Sequence, residues 1–246
     1  MTSAADQTKS AFAPAYVIVA AAGSGTRMGL ATSKQFLVLD GLPVIARTCL
    51  ILEQTPGING YLVVAAPERQ AEMTRLLKAY PLRRLIGITA GDDTRQASVA
   101  NGLAALGRAV NPPADAPVLV HDGARCLVTP ELVKRVLDAI RSRLAGGAAL
   151  PVKDTIKRAT AEGRVLETPD RQRLWAMQTP QGAVWSLLAQ AYDLATRQGF
   201  RGTDDLSVLE HAGIPVYLVT GDEQNLKLTT PADLAYAGWL LANRVL

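Results

Sequence analysis

The stretch that decides the fold is Val17-Ile18-Val19-Ala20-Ala21-Ala22-Gly23-Ser24-Gly25-Thr26-Arg27-Met28-Gly29. Its first part is a short apolar, β-branched run, which predicts a buried strand. The run passes directly into small residues that leave backbone N–H groups uncovered, and such groups bind anions. Arg27 and then Lys34 follow closely enough to face the same anion. We therefore predict a strand, a glycine loop and a phosphate-binding site.

The spacing of the glycines argues against two common phosphate loops. Gly29 comes one residue too late for the G-x-G-x-x-G fingerprint of dinucleotide-binding proteins, and the G-x-x-x-x-G-K-[ST] pattern of a P-loop is absent. A tight turn between strand and helix, with Arg27 and Lys34 in solvent, remains the alternative for the glycines alone. The two cations just beyond the turn favour a triphosphate cradle.

The composition is that of an ordinary globular protein, with 48% apolar and 20% charged residues among 246. This length suits one large α/β domain or two small ones. The 26 Lys and Arg residues against 22 Asp and Glu give a net charge of +4, and the basic residues form no run. That distribution argues against a nucleic-acid surface and suits a few cations around a small anionic ligand.

Cysteine and histidine are scarce. Cys49 and Cys126 match no metal or redox spacing, so we expect two reduced packing residues in a cytoplasmic protein. We expect His121 to be structural and His211 to lie on a helix surface, which argues against a Ser-His or Cys-His hydrolase. Residues 1–14 lack the features of a signal peptide and predict a disordered tail, and no apolar run approaches the ~18 residues of a membrane span.

Strands and helices alternate along the first half of the chain, which predicts a Rossmann-like, mostly parallel α/β sheet with helices on both faces. The predicted strands are 17–22, 61–65, 85–89 and 118–120, and the predicted helices are 43–54, 68–80, 94–106 and 130–144. Ligands bind such sheets at the carboxyl ends of the strands, where Gly23, Asp93, Ser98 and Asp122 are expected.

The alternation stops near Ala148. Two extended runs, 149–159 and 163–168, flank a Glu-Gly turn and predict a protruding β-hairpin arm over about residues 151–172. Because an isolated hairpin is marginal in water, we expect exchange with a second subunit, although folding back on its own domain remains open. Beyond the arm the chain returns through residues 174–178, and we predict helices at 183–198, up to 211 and at 231–241, and a strand at 215–219. Thr230 is the expected cap of the last helix. We predict one domain over residues 15–246.

Seven motifs, in order along the chain, closely resemble the 2-C-methyl-D-erythritol 4-phosphate cytidylyltransferases of the non-mevalonate isoprenoid pathway. They are the loop with Ser33-Lys34-Gln35, Arg95-Gln96-Ala97-Ser98-Val99, His121-Asp122-Gly123-Ala124-Arg125, Lys153-Asp154-Thr155-Ile156-Lys157, Thr179-Pro180-Gln181, Thr203-Asp204-Asp205 and Asn225-Leu226-Lys227-Leu228-Thr229. The resemblance implies a nucleotidyltransferase fold and a homodimer formed through the arm. It also implies transfer of CMP from CTP to 2-C-methyl-D-erythritol 4-phosphate with Mg²⁺, releasing pyrophosphate.

The resemblance implies roles for individual residues. Arg27 and Lys34 match the residues that stabilise the transition state on the triphosphate. Arg171 and Lys227 match the pair that grips the acceptor phosphate, with Arg171 delivered across the dimer. For a lone cation, a solvated surface position is the alternative. The implied substrate contacts are Ala21, Ala22, Gly23 and Gly25 in the loop, Gly91, Asp93 and Ser98 at cytosine and ribose, and Asp122, Arg125, Thr155 and Thr203 elsewhere.

Some of these residues have simpler alternatives. Asp122 could orient Mg²⁺-bound water or substrate, with the metal held mainly by CTP phosphates, or it could cap a turn. Ser98 could be a first-turn helix residue. Trp175 and Trp185 are expected in the core.

The sequence departs from the family pattern without removing a charge from the predicted site. Ala20 and Cys126 stand where Pro is usual or frequent, and Asp205-Leu206 replaces Glu-Ala. A cytidylyltransferase for another polyol phosphate, such as ribitol 5-phosphate, and a non-catalytic nucleotide-binding module remain as alternatives.

Overall fold

The computed structural model describes residues 12–23 and 33–243. Gly25, Arg27 and residues 1–11 of the predicted tail lie outside the described residues. The strands are β1 Ala15–Ala21, β2 Val38–Leu39, β3 Leu42–Pro43, β4 Ile58–Ala65, β5 Leu85–Ala90, β6 Pro117–Asp122, β7 Ala145–Pro151, β8 Arg158–Ala159, β9 Val165–Glu167, β10 Trp175–Val184 and β11 Tyr217–Thr220. The α-helices are α1 Val44–Gln54, α2 Gln70–Leu77, α3 Arg95–Val110, α4 Pro130–Arg143, α5 Trp185–Gln198, α6 Asp205–His211 and α7 Pro231–Ala242.

Seven strands form one sheet in the order β11-β7-β10-β6-β1-β4-β5. β10 runs antiparallel to both of its neighbours, and the other neighbouring pairs described in this sheet are parallel. The mostly parallel α/β fold predicted from the alternating elements is therefore confirmed. In such a sheet the carboxyl ends of β1, β4, β5 and β6 lie at one edge.

Apolar layers cover both faces of the sheet. Along β1, Val17 and Val19 pack in one cluster with residues of α1, α2 and α4. Ile18, which points the opposite way, packs in a second cluster with residues of α3, α5 and α6. A strand buried on both faces reads as a continuous apolar run, which is why the opening stretch predicts it well.

A third, smaller cluster supports the site. It joins α7 to the segment after β6 and includes Leu228, Cys126 and Ala237, all buried. Thr230 caps α7 as predicted, because its hydroxyl accepts from the Asp233 N–H. The packing of Leu228 fixes the position of the neighbouring Lys227.

Several element boundaries differ from the sequence prediction. The α3 helix continues past Gly107 and ends at Val110. It ends there because the next residue, Asn111, adopts a left-handed conformation and caps the helix by donating its N–H to the Gly107 carbonyl. The predicted start of a helix at Ala183 is wrong, since Ala183 pairs with Val118 on one side and Ala145 on the other and so remains in β10. Pairing on both sides overrides the local helical pattern.

The aromatic predictions have a mixed outcome. Trp175 is 38% exposed at the start of β10, so its placement in the core is wrong. Trp185 is half-buried against Gly107. His211 is exposed on a helix as predicted, and its ring stacks on Phe200 with centroids 3.9 Å apart.

β8 and β9 form a separate antiparallel two-stranded sheet within the predicted arm. Arg158 Nε donates to Glu167 Oε2 at 2.9 Å across the pair. Ile156, Val165 and Leu166 leave apolar surface exposed. Such a small hairpin buries little of its own surface and is marginally stable by itself.

Candidate active site

A cavity of about 430 Å³ lies at the carboxyl ends of the parallel strands. The residues that line it come from the end of β1, the short turn Lys34–Phe36, the segment that begins α3, the end of β6 and the segment before α7. They are Ala20, Ala22, Gly23, Lys34, Gln35, Asp92, Asp93, Thr94, Arg95, Ser98, Asp122, Ala124, Lys227 and Thr229. The switch in strand order between β1 and its neighbours β4 and β6 produces a crevice of the kind that binds ligands in open α/β sheets.

Three cations of the described residues line this cavity: Lys34, Arg95 and Lys227. Lys227 Nζ lies 2.8 Å from Asp122 Oδ2, and Arg95 Nε lies 3.1 Å from Asp122 Oδ1. Asp122 is buried, whereas Asp92 and Asp93 are exposed at the rim. Cations gathered around a buried carboxylate make this cavity suited to polyanions.

The Asp122 carboxylate is held in its charged form. Burial alone would raise its pKa, but Arg95, Lys227 and Arg125 together hold the pKa of Asp122 well below its usual range. Arg125 Nε lies 3.6 Å from Asp122 Oδ2. At neutral pH the carboxylate therefore acts as a fixed acceptor and not as an acid or a base.

Lys34 is almost fully buried in a short 3₁₀ turn, Lys34–Phe36. Its Nζ donates to the Leu228 carbonyl at 3.2 Å, across 194 residues of sequence. This bond ties the segment after the glycine loop to the segment that presents Lys227. Lys34 and Lys227 both line the same cavity.

Ser98 lines the cavity, and Gly91 packs against Ser98 and Ala22. The Ser98 hydroxyl accepts from Asp92 N at 2.8 Å and donates to the Asp92 carbonyl at 3.1 Å, so it fastens this loop to α3. A Cβ at Gly91 would lie 2.4 Å from Ala22 Cβ and 2.8 Å from Ser98 Oγ. Gly91 therefore permits a close approach between two loops, and Ala21 is buried just behind them.

His121 is structural, as predicted. It is fully buried, with Nδ1 3.1 Å from the Thr179 hydroxyl and Nε2 3.2 Å from the Arg125 carbonyl. Burial lowers the pKa of His121 to about 4, so the ring is neutral at pH 7. It does not line the cavity, so it is not placed to move a substrate proton.

A family model described as IspD, 2-C-methyl-D-erythritol 4-phosphate cytidylyltransferase, matches residues 15–243. The chain belongs to this family. The IspD resemblance drawn from seven motifs is thereby confirmed.

Named relatives agree along nearly the whole chain. The 2-C-methyl-D-erythritol 4-phosphate cytidylyltransferase of Microcystis aeruginosa is 42% identical over 230 residues, covering 94% of this chain and 100% of the relative. That of Nostoc punctiforme is 43% identical over 229 residues, covering 93% and 99%. The crystal structure of the enzyme of this name from Thermus thermophilus matches with a TM-score of 0.72 and 32% identity, covering 93% of this chain and 99% of that chain.

Six of the described residues that the IspD resemblance assigns to substrate do not line the cavity: Ala21, Gly91, Arg125, Thr155, Arg171 and Thr203. Thr155, Arg171 and Thr203 are exposed. Arg171 Nη1 donates to the Lys153 carbonyl at 2.9 Å, at the base of the arm. Arg125 also lies outside the cavity wall and donates to the Asn225 carbonyl at 2.7 Å. Arg125 is linked to the site through its ion pair with Asp122.

Two residues central to the site's charge network were missed as candidates. Arg95 lines the cavity, and Asp205, 110 residues away, is fully buried against it. The sequence marks Arg95 only as one member of a motif, and Asp205 only as a departure from the family pattern. Nothing in their local sequence indicates the pairing.

The described residues do not build a protein-held magnesium site. No cluster of three or more His, Cys, Asp or Glu side chains suited to a metal is found in residues 12–23 and 33–243. Both carboxylate oxygens of Asp122, the candidate ligand, already contact cations. This donor set fits Asp122 as an anchor for Arg95 and Lys227 better than as a Mg²⁺ ligand.

None of the helices in residues 12–23 and 33–243 is long and apolar enough to cross a bilayer.

Proposed function

We propose that the chain transfers CMP from CTP to 2-C-methyl-D-erythritol 4-phosphate and releases pyrophosphate, in the non-mevalonate route to isoprenoid precursors. Its main support in the structure is that Lys34, Arg95 and Lys227 line one cavity around Asp122. Two polyanionic substrates repel each other, and a cationic cavity offsets that repulsion while it aligns them. Family membership supplies the substrate names.

The reaction needs no protein base. The second pKa of a phosphate monoester is about 6, so its oxygen is largely ionised at neutral pH and can attack directly. A bond forms between this oxygen and the α-phosphorus of CTP, and the bond from the α-phosphorus to the bridging oxygen breaks. Pyrophosphate leaves with the electron pair. The protein's part is to position the reactants and neutralise charge.

The proposed roles of individual residues are those that the family resemblance implies. Lys34 and Arg27 act on the triphosphate, and Lys227 holds the acceptor phosphate with Arg171 from a second subunit. The nucleotide contacts are Ala21, Ala22, Gly23, Gly25, Gly91, Asp93 and Ser98, and the further substrate contacts are Asp122, Arg125, Thr155 and Thr203. We propose that Mg²⁺ arrives on the phosphates of CTP.

We propose that the arm joins two copies of the chain. Apolar side chains cluster on it at Ile156, Val165 and Leu166, and Val165 is 54% exposed. A second copy would cover this surface and bring Arg171 and Thr155 to the partner's cavity.

We further propose that the protein works in the cytoplasm, where Cys49 and Cys126, both buried and unpaired, stay reduced.

Sedimentation velocity tests the arm directly. Val165→Asp should convert a dimer into a monomer, whereas Leu144→Asp, at a residue that is 53% exposed and lies outside the arm, should leave the dimer unchanged. Leu144 has φ 71, a conformation that Asp accepts more readily than Leu, so the control should fold normally. A wild-type monomer at micromolar concentration would exclude the proposed dimer.

Pyrophosphate release with CTP and Mg²⁺ tests the reaction. The acceptors are 2-C-methyl-D-erythritol 4-phosphate, ribitol 5-phosphate and none. We expect the first to give the highest kcat/KM. A preference for ribitol 5-phosphate would change the assigned substrate, and silence with every acceptor while CTP still binds would indicate a nucleotide-binding module.

A further inference from the structure

A buried charge network stands behind the cavity and is anchored at Asp205, the first residue of α6. Asp205 is fully buried, and both of its carboxylate oxygens meet the Arg95 guanidinium: Nη1 lies 3.0 Å from Oδ1 and Nη2 lies 2.7 Å from Oδ2. This fork geometry is available to Arg but not to Lys. A buried carboxylate without such a partner would be strongly disfavoured.

Other groups fix the orientation of the Asp205 carboxylate. The Tyr192 hydroxyl, on α5, donates to Oδ1 at 2.5 Å. Gln181 Oε1 accepts the backbone N–H groups of Asp205 and Leu206 at 3.0 and 3.1 Å. Neither Asp205 nor Tyr192 lines the cavity. With Tyr192 on the carboxylate and Gln181 on the backbone of Asp205, the plane of the Arg95 guanidinium is fixed as well.

The Nε–H of the guanidinium carries this order into the cavity. Arg95 Nε donates to Asp122 Oδ1 at 3.1 Å, and Asp122 Oδ2 lies 2.8 Å from Lys227 Nζ. The network therefore runs from Tyr192 through Asp205, Arg95 and Asp122 to Lys227. Burial lowers the pKa of Arg95, but the carboxylates of Asp205 and Asp122 outweigh this and hold it above its ordinary value, so the link stays charged.

We propose that Asp205 and Tyr192 are positioning residues that set the acceptor side of the site. They lock Arg95 so that its Nε holds Asp122, and Asp122 in turn holds Lys227 where it meets the acceptor phosphate. This inference rests on the proposed function, since it assigns these residues to the same reaction. Neither residue touches a substrate, so their effect is exerted through Arg95.

Tyr192→Phe is the decisive variant because it removes one hydroxyl and keeps the buried ring and the Arg95–Asp205 ion pair. Tyr61→Phe is a matched control: Tyr61 is also fully buried and donates to a carboxylate, Glu53 Oε2, at 3.2 Å. Glu53 does not line the cavity. Each variant loses one hydrogen bond between tyrosine and carboxylate, but only one of these bonds belongs to the network.

The experiment measures kcat, both KM values and Tm for wild type, the two tyrosine variants and Asp205→Asn. We expect Tyr192→Phe to raise the KM for the acceptor about fivefold, with the KM for CTP within twofold and a change in Tm similar to that of Tyr61→Phe. Where Asp205→Asn folds, we expect its KM for the acceptor to rise by more than that of Tyr192→Phe. The acceptor KM of Tyr61→Phe should stay within twofold of wild type.

An acceptor KM for Tyr192→Phe within twofold of wild type overturns the proposal, as does an equal rise in both tyrosine variants. If wild type itself releases no pyrophosphate with any acceptor, the proposed function fails instead. The two failures are therefore distinguishable. Because Tyr192→Phe keeps the ring, the decision does not depend on whether Asp205→Asn folds.

Discussion

Gly91 offers a sharp test of the close packing between its own loop and the loop that follows β1. In Gly91→Ala the new Cβ would lie 2.4 Å from Ala22 Cβ, 2.8 Å from Ser98 Oγ and 3.3 Å from the Ala65 carbonyl oxygen. The Gly91 N–H also donates to that carbonyl at 2.7 Å, so the backbone cannot shift without weakening this bond. Overpacking of this kind costs about 1–3 kcal/mol, which for a domain of this size lowers Tm by roughly 2–12 °C.

Gly87→Ala is the matched control for Gly91→Ala. Gly87 lies four residues earlier, in β5, and a Cβ there would meet nothing within 4 Å. Gly87 is half-buried, and because the added methyl group would meet open space the change in stability should stay within about 0.5 kcal/mol. Thermal unfolding and the KM for CTP should separate the two variants, because only Gly91→Ala should lower Tm and raise that KM. A Gly91→Ala protein that matches Gly87→Ala in both would refute the proposed close packing of the two loops.

Three further predictions follow from the site and its supports. Lys34→Met should lower kcat by roughly 100-fold or more, the cost of one preorganised transition-state donor, while Lys134→Met on α4 should leave kcat unchanged; pyrophosphate release checks both. His121, with a folded pKa of about 4, stays neutral while the unfolded side chain protonates near 6.5, so stability should be full above pH 6.5 and fall between pH 6.5 and 4, by roughly 3 kcal/mol in all. Urea unfolding of wild type and His121→Asn at pH 7.5 and 4.5 measures that loss, and an equal loss in both proteins would contradict the assignment to His121. Thr230→Ala should destabilise α7 by about 1 kcal/mol through loss of its cap, and an unchanged midpoint in urea would show that the cap contributes nothing.

Local features of the sequence predict much of this fold. The β1 run and the Thr230 cap depend on residues close together in the chain, so propensity, periodicity and capping rules apply directly. Ligands bind parallel sheets at the carboxyl ends of the strands, and this rule also places Gly23, Ser98 and Asp122 together, because it needs only the order and direction of the strands. Lys34 and Lys227 are identified as candidates from the order of the family motifs, and both line the cavity.

The missed features depend on contacts between distant segments. The Arg95–Asp205 fork joins residues 110 positions apart, and no local pattern specifies it. β10 includes Ala183 because pairing on both sides outweighs the helical pattern that follows. The exposure of Trp175 likewise depends on where the arm leaves the sheet. In each case tertiary context overrides local preference.

The most direct measurement of the central claim, that fixed cations and an ionised substrate make a protein base unnecessary, is the pH dependence of kcat/KM for the acceptor between pH 5.5 and 8.5. We predict a single rise through the second ionisation of the acceptor phosphate, near pH 6, and then a plateau, because no protein group must lose a proton. A further rise with unit slope above pH 7 would show that a protein base takes part and would contradict the electrostatic mechanism.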